Sequence, residues 1–246
     1  MNLEGSRSLP PPVSVPAVSP PPVSREVARS WDRRAMEEYG IPGIVLMENA
    51  AQGSAALLLG LLEREPDRWA PPFQVICGPG QNGGDGFAIA RHLHNAGHAV
   101  AIHLVLPRSR TDPRSDAGVN LAVAARMGIE VREPPEDLLR GAAAAAARGV
   151  IVDAMLGTGL ARPLDSPYRE WVEAVNRSGQ PVAAIDLPTG LDADTGEVLG
   201  AAVRADWTFT IAAPKLGFTR GAGPAHTGRV AVVPISIPRE VMASRA

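Results

Sequence analysis

Carboxylates recur in this chain at places where chemistry could use them. Asp153 and Asp186 each close a short apolar run and each is followed by a glycine-bearing turn, VDAMLGTG at 152–159 and IDLPTG at 185–190. A third such place is 73–86, where FQVIC leads into GPGQNGGDG and brings Asp85. A carboxylate at the end of a buried run can hold or move a proton or bind a polar ligand. The glycines Gly78, Gly80, Gly83, Gly84 and Gly86 allow φ > 0 and let main-chain N–H groups come close to a ligand. From Asp85 on, Phe87, Ala90, Leu93 and Ala96 recur at helical spacing, so the loop delivers a helix N-terminus, whose free N–H groups favour anions. Strand, glycine loop and helix describe a ligand cradle built mainly from backbone.

A dinucleotide fingerprint fits this stretch poorly. Gly78, Gly80 and Gly83 fill its glycine slots, but no acidic residue closes the second strand, which ends LVLPR, and no Walker lysine follows. The elements that must position the carboxylates alternate. Helices are expected from the Ser24 cap, with Val27, Trp31, Met36 and Tyr39 near one face, and over 44–64. Strands are expected at 73–77, 99–106, 129–132, 149–156, 181–187, around Thr208, Thr210 and Ile211, and at 228–235. Between them fall helices at 112–127, opened by Asp112-Pro113, at 136–148 and at 166–175. Alternating β and α predicts an α/β fold: a Rossmann-like three-layer αβα sandwich with a mostly parallel sheet. In such sheets ligands collect beyond the carboxyl ends of the strands, so the three acid-plus-glycine turns are expected to converge.

Composition bounds the alternatives. The 246 residues are 45% apolar, enough for a sizeable core, and a formal charge of −2 gives no case for nucleic acid or an anionic membrane. No uninterrupted apolar run reaches the ~18 residues of a membrane span. The single cysteine, Cys77, excludes an internal disulfide and reads as an inert core thiol. His92, His94, His98 and His103 read as solvated or capping histidines rather than as metal ligands. Residues 1–24 are proline-rich and favour solvated polyproline II, a disordered tail ahead of one domain over 25–246. The tail lacks a signal peptide's basic start and apolar run, so a cytoplasmic location is expected. Two residues stay open: Asn49 either faces solvent or reaches the site, and Lys215 either serves the site or lies on the surface.

From 25 to 238 the chain resembles the NAD(P)H-hydrate epimerase family. The resemblance is carried by GIPGIVLMENA at 40–50, GPGQNGGDGFAIARHL at 78–93, VDAMLGTGL at 152–160, IDLPTGLDADTG at 185–196 and APKLG at 213–217. It implies an isomerase that interconverts the two C6 epimers of hydrated NADH or NADPH. It further implies that Gln81, Asn82, Gly83, Gly84 and Asp85 line the nucleotide. Gly157, Thr158, Gly159, Leu160, Ala161, Arg162 and Pro163 would form a second wall, and Asp186 a third contact. A potassium ion would be held by Asn82, Asp153 and Thr189, whose amide, carboxylate and hydroxyl oxygens suit a hard cation. Gln81 and Thr189 stand where the family usually has Asn and Ser; the second change keeps the hydroxyl. The resemblance also suggests a homodimer and a separate dehydratase acting on the product, since the chain has no length for a fused one.

Inversion at C6, which carries a hydroxyl beside ring nitrogen N1, needs the C6–O or the N1–C6 bond to break and protons to move to and from oxygen. Asp186 is the first choice of acid–base group, with Lys215 stabilising a carboxylate or relaying a proton. The competing reading is a non-catalytic nucleotide-binding scaffold of the same fold. A Rossmann oxidoreductase is weakened by the missing acidic residue after the second strand.

Overall fold

The computed structural model describes residues 20–134 and 149–243, so the helix expected at 136–148 and most of the proline-rich tail lie outside the described residues. The chain opens with two helices, α1 (Arg25–Tyr39) and α2 (Gly43–Arg64). Then follow β1 (Phe73–Cys77), α3 (Gln81–Asn95), β2 (Val100–Leu104), α4 (Asp116–Arg126), β3 (Glu130–Arg132) and β4 (Val150–Ala154). The second half holds α5 (Tyr168–Arg177), β5 (Val182–Ile185), β6 (Trp207–Ile211), α6 (Gly223–His226), β7 (Arg229–Val233) and α7 (Arg239–Ala243).

All seven strands pair in parallel, in the order β3-β2-β1-β4-β5-β6-β7. The order reverses between β1 and β4, which makes a crevice at their carboxyl ends, the place where open α/β sheets bind ligands. Register sets the three acid-bearing ends side by side: Ile76 pairs with Asp153, and Asp153 with Ala184, two residues before Asp186.

Buried on both faces, the central strands β1, β4 and β5 have no solvent-facing side, which is why they read as nearly continuous apolar runs. Phe73, Val75 and Cys77 point with Val150, Val152 and Ala154 into a large core shared with α1 to α4. Ile76, Ile151 and Val182 point the other way, onto Trp171, Val172 and Val175 of α5. Each such large apolar side chain contributes roughly 1.5–3 kcal/mol through burial.

Side-chain caps start two of the helices. Ser24 Oγ accepts from Val27 N at 3.2 Å and Gly40, at φ 67°, closes α1. α4 starts three residues later than the Asp112 reading of the sequence, because Ser115 Oγ is the acceptor that caps it, from Gly118 N at 3.1 Å. The buried residues of α1 are Ser30, Trp31 and Ala35, while Met36 and Tyr39 are exposed, against the expected face. α2 reaches the length and hydropathy of a membrane span, which counting uninterrupted apolar runs does not register; here Leu46, Ala50, Leu58 and Leu61 are buried in the core.

One open reading closes and one expectation is corrected. Asn49 does not reach the strand ends: its Nδ2 donates to Ile235 O at 3.2 Å and Ser236 Oγ at 3.0 Å. His103 is buried rather than solvated, bonded across β1 and β2 to Gln74 at 2.7 Å, and burial lowers its pKa to about 4. Burial likewise pushes the Cys77 thiol well above its ordinary value, leaving it unreactive.

Candidate active site

The glycine stretch after β1 is mostly helix. α3 begins at Gln81, four residues before the expected Asp85, and none of Gly78, Gly80, Gly83, Gly84 or Gly86 has positive φ. At Gly78, Gly83, Gly84 and Gly86 the small size serves close approach instead. A Cβ on Gly83 would sit 1.8 Å from Gly78 O, and one on Gly78 2.0 Å from Met155 O. One on Gly86 would meet Ala154 Cβ at 2.6 Å. These contacts press the first turn of α3 against the carboxyl ends of β1 and β4, bringing its unsatisfied N–H groups to the crevice.

Asp153, at the end of β4, is fully buried. Its carboxylate accepts from Thr189 Oγ1 at 2.7 Å, Thr189 N at 2.9 Å and Met155 N at 3.2 Å. Burial pushes its pKa up to about 6 although those hydrogen bonds pull the other way. Thr189 Oγ1 also accepts from Leu156 N at 3.0 Å, which ties the loop after β5 to the loop after β4.

Asp186 follows β5 directly and holds φ 64°, left-handed backbone that a non-glycine residue adopts only when its surroundings impose it. They do so through Asp186 N, which donates to Phe209 O at 2.8 Å, and Leu187 N, which donates to Ile185 O at 2.8 Å. The bend turns the carboxylate toward Lys215, whose Nζ lies 2.5 Å from Asp186 Oδ1. Lys215 is no surface lysine: it is 1% exposed, and its ammonium also reaches Thr210 Oγ1 at 3.0 Å, Ile211 O at 2.9 Å and Ala213 O at 3.0 Å. With its donors surrounded by four oxygens, Lys215 fixes the Asp186 carboxylate and balances its charge.

A cavity of about 340 Å³ opens over this pair. Its wall joins Gly80, Gln81, Asn82 and Asp85 from the first strand end, Leu156 through Gly159 from the second and Asp186 from the third, with Lys215 reaching in from the turn after β6. The expected convergence of Gln81, Asn82, Asp85, Gly157, Thr158, Gly159, Asp186 and Lys215 is therefore present. Gly157 is the narrow point, where a Cβ would come within 3.0 Å of Asp186 Oδ2 and 3.3 Å of Asn82 Oδ1. Gly83 and Gly84 are buried in helix packing, and Ala161, Arg162 and Pro163 are exposed beyond the wall. Leu160 is also off the wall and takes Arg25 Nη1 on its carbonyl at 2.7 Å. Asp153 and Thr189 are fully buried and do not line the cavity.

The sequence reading missed the fourth wall, Ala28, Arg29 and Asp32 of α1. A signal for it existed, since Ala28, Trp31, Asp32 and Ala35 follow i, i+3, i+4, i+7 spacing, so Asp32 is a charge on the inward stripe. Burial, then the neighbouring Asp186, raises Asp32 to about 6 against the pull of Lys215. Asp85 is pushed well above the carboxylate range by burial, Asp186 and Asp32.

The comparisons with known proteins agree with this geometry. Residues 43–217 match the family described as YjeF-related protein N-terminus. The chain is 40% identical to the NAD(P)H-hydrate epimerase of Rhodopirellula baltica over 92% of this chain and 89% of that one. It is 38% identical to the enzyme of that name from Limosilactobacillus fermentum, over 83% of this chain and 91% of that one. The bifunctional NAD(P)H-hydrate repair enzyme Nnr of Salinibacter ruber is 41% identical over 92% of this chain, which spans 42% of that protein. The crystal structure of yeast ynu0, YNL200c, has the same fold, with a TM-score of 0.69 at 23% identity over 86% of this chain and 87% of that one. A sheet that reverses at β1 and β4, the motifs at its strand ends and the near full-length relatives agree, and the chain belongs to the NAD(P)H-hydrate epimerase family.

Proposed function

We propose that this chain interconverts the R and S epimers of hydrated NADH or NADPH at C6, so that a separate dehydratase acting on the S form can return the nucleotide to use. The observation that carries the reading is the buried Lys215–Asp186 pair, set by left-handed backbone at the mouth of a cavity where three strand ends meet. The free N–H groups at the start of α3 suit the nucleotide's phosphate charge. Asp186 accepts and returns a proton at the C6 oxygen, and Lys215 keeps its carboxylate oriented.

Asn82, Asp153 and Thr189 would hold a potassium ion. The donor chemistry fits: both hydrogen-bonding atoms of the Asn82 amide are buried without a partner, and Asp153 and Thr189 form one oxygen cluster at neighbouring strand ends. When bound, the ion supplies positive charge against phosphate or carboxylate and ties the loops after β1, β4 and β5. A homodimer belongs to the same reading, supported by Met36, Tyr39 and Val45, large apolar side chains left exposed on the first two helices.

The test is to add the purified chain, with potassium, to the R epimer of hydrated NADH beside an S-specific dehydratase and follow NADH recovery. Recovery should exceed the spontaneous rate, and Asp186→Asn should lower kcat by about 10²–10⁴-fold while the far-ultraviolet spectrum stays native. An Asp186→Asn protein with full turnover would move the base elsewhere.

A further inference from the structure

Epimerisation by release and return of an oxygen needs two proton-transfer groups in opposite states, one giving a proton as the other takes one. Asp186, clamped to an ammonium, supplies the accepting group. The giving group must be a carboxyl with no cation fixed to it. Among the described residues of the cavity wall, Asp32 and Asp85 meet that condition. Asp32 makes no hydrogen bond or ion pair among the described residues; Arg29, one turn earlier on the same wall, donates to Thr158 O at 3.2 Å instead. Its carboxyl is partly buried, but its oxygens are not sealed off, so they stand open to whatever occupies the cavity. It also stands where the main cavity meets a second of about 180 Å³, the two sharing Asp32, Gln81, Asp85 and Ile211.

We propose that Asp32 is the second proton-transfer carboxyl of this site, giving a proton to the departing C6 oxygen while Asp186 takes one from the water that replaces it; this rests on the epimerase reading above. In one direction the Asp32 carboxyl proton passes to the C6 hydroxyl. The C6–O bond breaks with its electron pair on oxygen, water leaves, and the N1 lone pair forms a C6=N1 bond. Water then adds to the other face of C6, the N1=C6 pair returns to N1, and the water proton passes to the Asp186 carboxylate. Asp32 is left ionised and Asp186 protonated, the state from which the reverse reaction starts, and exchange with solvent resets the pair.

Asp32 suits this cycle better than Asp85. The groups facing it are Arg29 on its own helix, Asp85 of α3, Asp116 at the start of α4, Asp186 and Lys215. Their balance and burial leave Asp32 near 6, where it can both give and take a proton, whereas burial, Asp186 and Asp32 together push Asp85 well above the carboxylate range.

The experiment compares the full-length chain with Asp32→Asn and Asp32→Glu, using the R epimer of hydrated NADH, the S-specific dehydratase and water enriched in oxygen-18. Asp32→Asn is expected to lower kcat by about 10²–10³-fold with KM within about threefold, and Asp32→Glu to recover at least a tenth of the lost turnover. The wild-type S epimer, trapped before dehydration, should carry solvent oxygen. In the wild type, kcat/KM should fall as pH rises through about 6, as the shared proton is lost, and Asp32→Asn should lack that limb. Removing a carboxyl that is uphill to ionise should also raise the melting temperature of Asp32→Asn at neutral pH, whereas loss of a structural contact would lower it. An Asp32→Asn kcat within about twofold of wild type overturns the role of Asp32; if the Asn variant does not fold, a wild-type kcat/KM without a limb near pH 6 overturns it. Retention of the original oxygen in the wild-type product overturns the C6–O step. Wild-type protein that accelerates nothing overturns the epimerase reading itself.

Discussion

Asn82 sits in the first turn of α3 with its amide nitrogen and oxygen both buried and unpartnered. Each such group costs about 1–3 kcal/mol when left unsatisfied, so the native state tolerates it only where binding repays the cost. Potassium binding is therefore expected to appear as stability. At about a hundred times its dissociation constant an ion adds about 2.7 kcal/mol, which for a chain this long raises the melting temperature by roughly 5–10 °C. Thermal unfolding in potassium chloride against choline chloride of equal ionic strength measures this, and Asn82→Ala should erase the difference. Identical melting in both salts would remove potassium from the site. At this scale the sequence was informative wherever a carboxylate stood at the carboxyl end of a buried strand, as Asp153 and Asp186 do. It was less so for Asp32, because Met36 and Tyr39 drew the apolar face of α1 away from the stripe that faces the cavity.

The elements that hold these residues are set by backbone contact as much as by side chains. Glycine is a poor helix former, which is why α3 was expected to begin only at Asp85. Tertiary packing overrides that preference, since only a glycine-rich first turn can lie this close to β1 and β4. The central strands carried a plainer signal: β1, β4 and β5 are buried on both faces and had to be mostly apolar, and only strand ends shifted by one or two residues. Gly83→Ala tests the packing argument. Its Cβ would lie 1.8 Å from Gly78 O, a backbone atom that cannot swing aside, so the variant should lose at least about 2 kcal/mol of stability in urea unfolding despite alanine's better helix propensity. Gly80→Ala is the control, because a Cβ there meets nothing within 4 Å. Equal stability of Gly83→Ala and wild type would mean that α3 is free to move off the sheet.

Over the whole molecule, alternation of strand and helix made the fold class legible, while strand order and the position of α1 depended on contacts far apart in sequence. The order decides where the crevice falls, and α1 then closes it from the side, ahead of the residues matched by the family. What fastens α1 is visible at its first residues. Val23 bridges Lys215 in parallel, with Val23 N donating to Pro214 O and Leu216 N to Val23 O, each at 2.9 Å. Arg25 then spans two loops of the site. Its backbone N donates to Asp194 Oδ1 at 2.7 Å, its Nη1 to Leu160 O at 2.7 Å and its Nη2 to Asp192 Oδ2 at 2.6 Å. Arg25 and Asp192 are only 15% and 16% exposed, so this ion pair is sheltered from the screening that weakens surface pairs. Truncating the arginine leaves the large core intact but frees the helix that carries Asp32. Arg25→Ala is therefore expected to speed hydrogen exchange in α1 more than in β1 or β4, and to lower kcat by about tenfold or more, since small misplacements of a reacting group are costly. Lys215 and Asp186 do not depend on Arg25, so ligand binding at that pair should survive. If exchange in α1 is unchanged and turnover stays within twofold of wild type, the first helix is held by its apolar packing alone and the site tolerates a loose fourth wall.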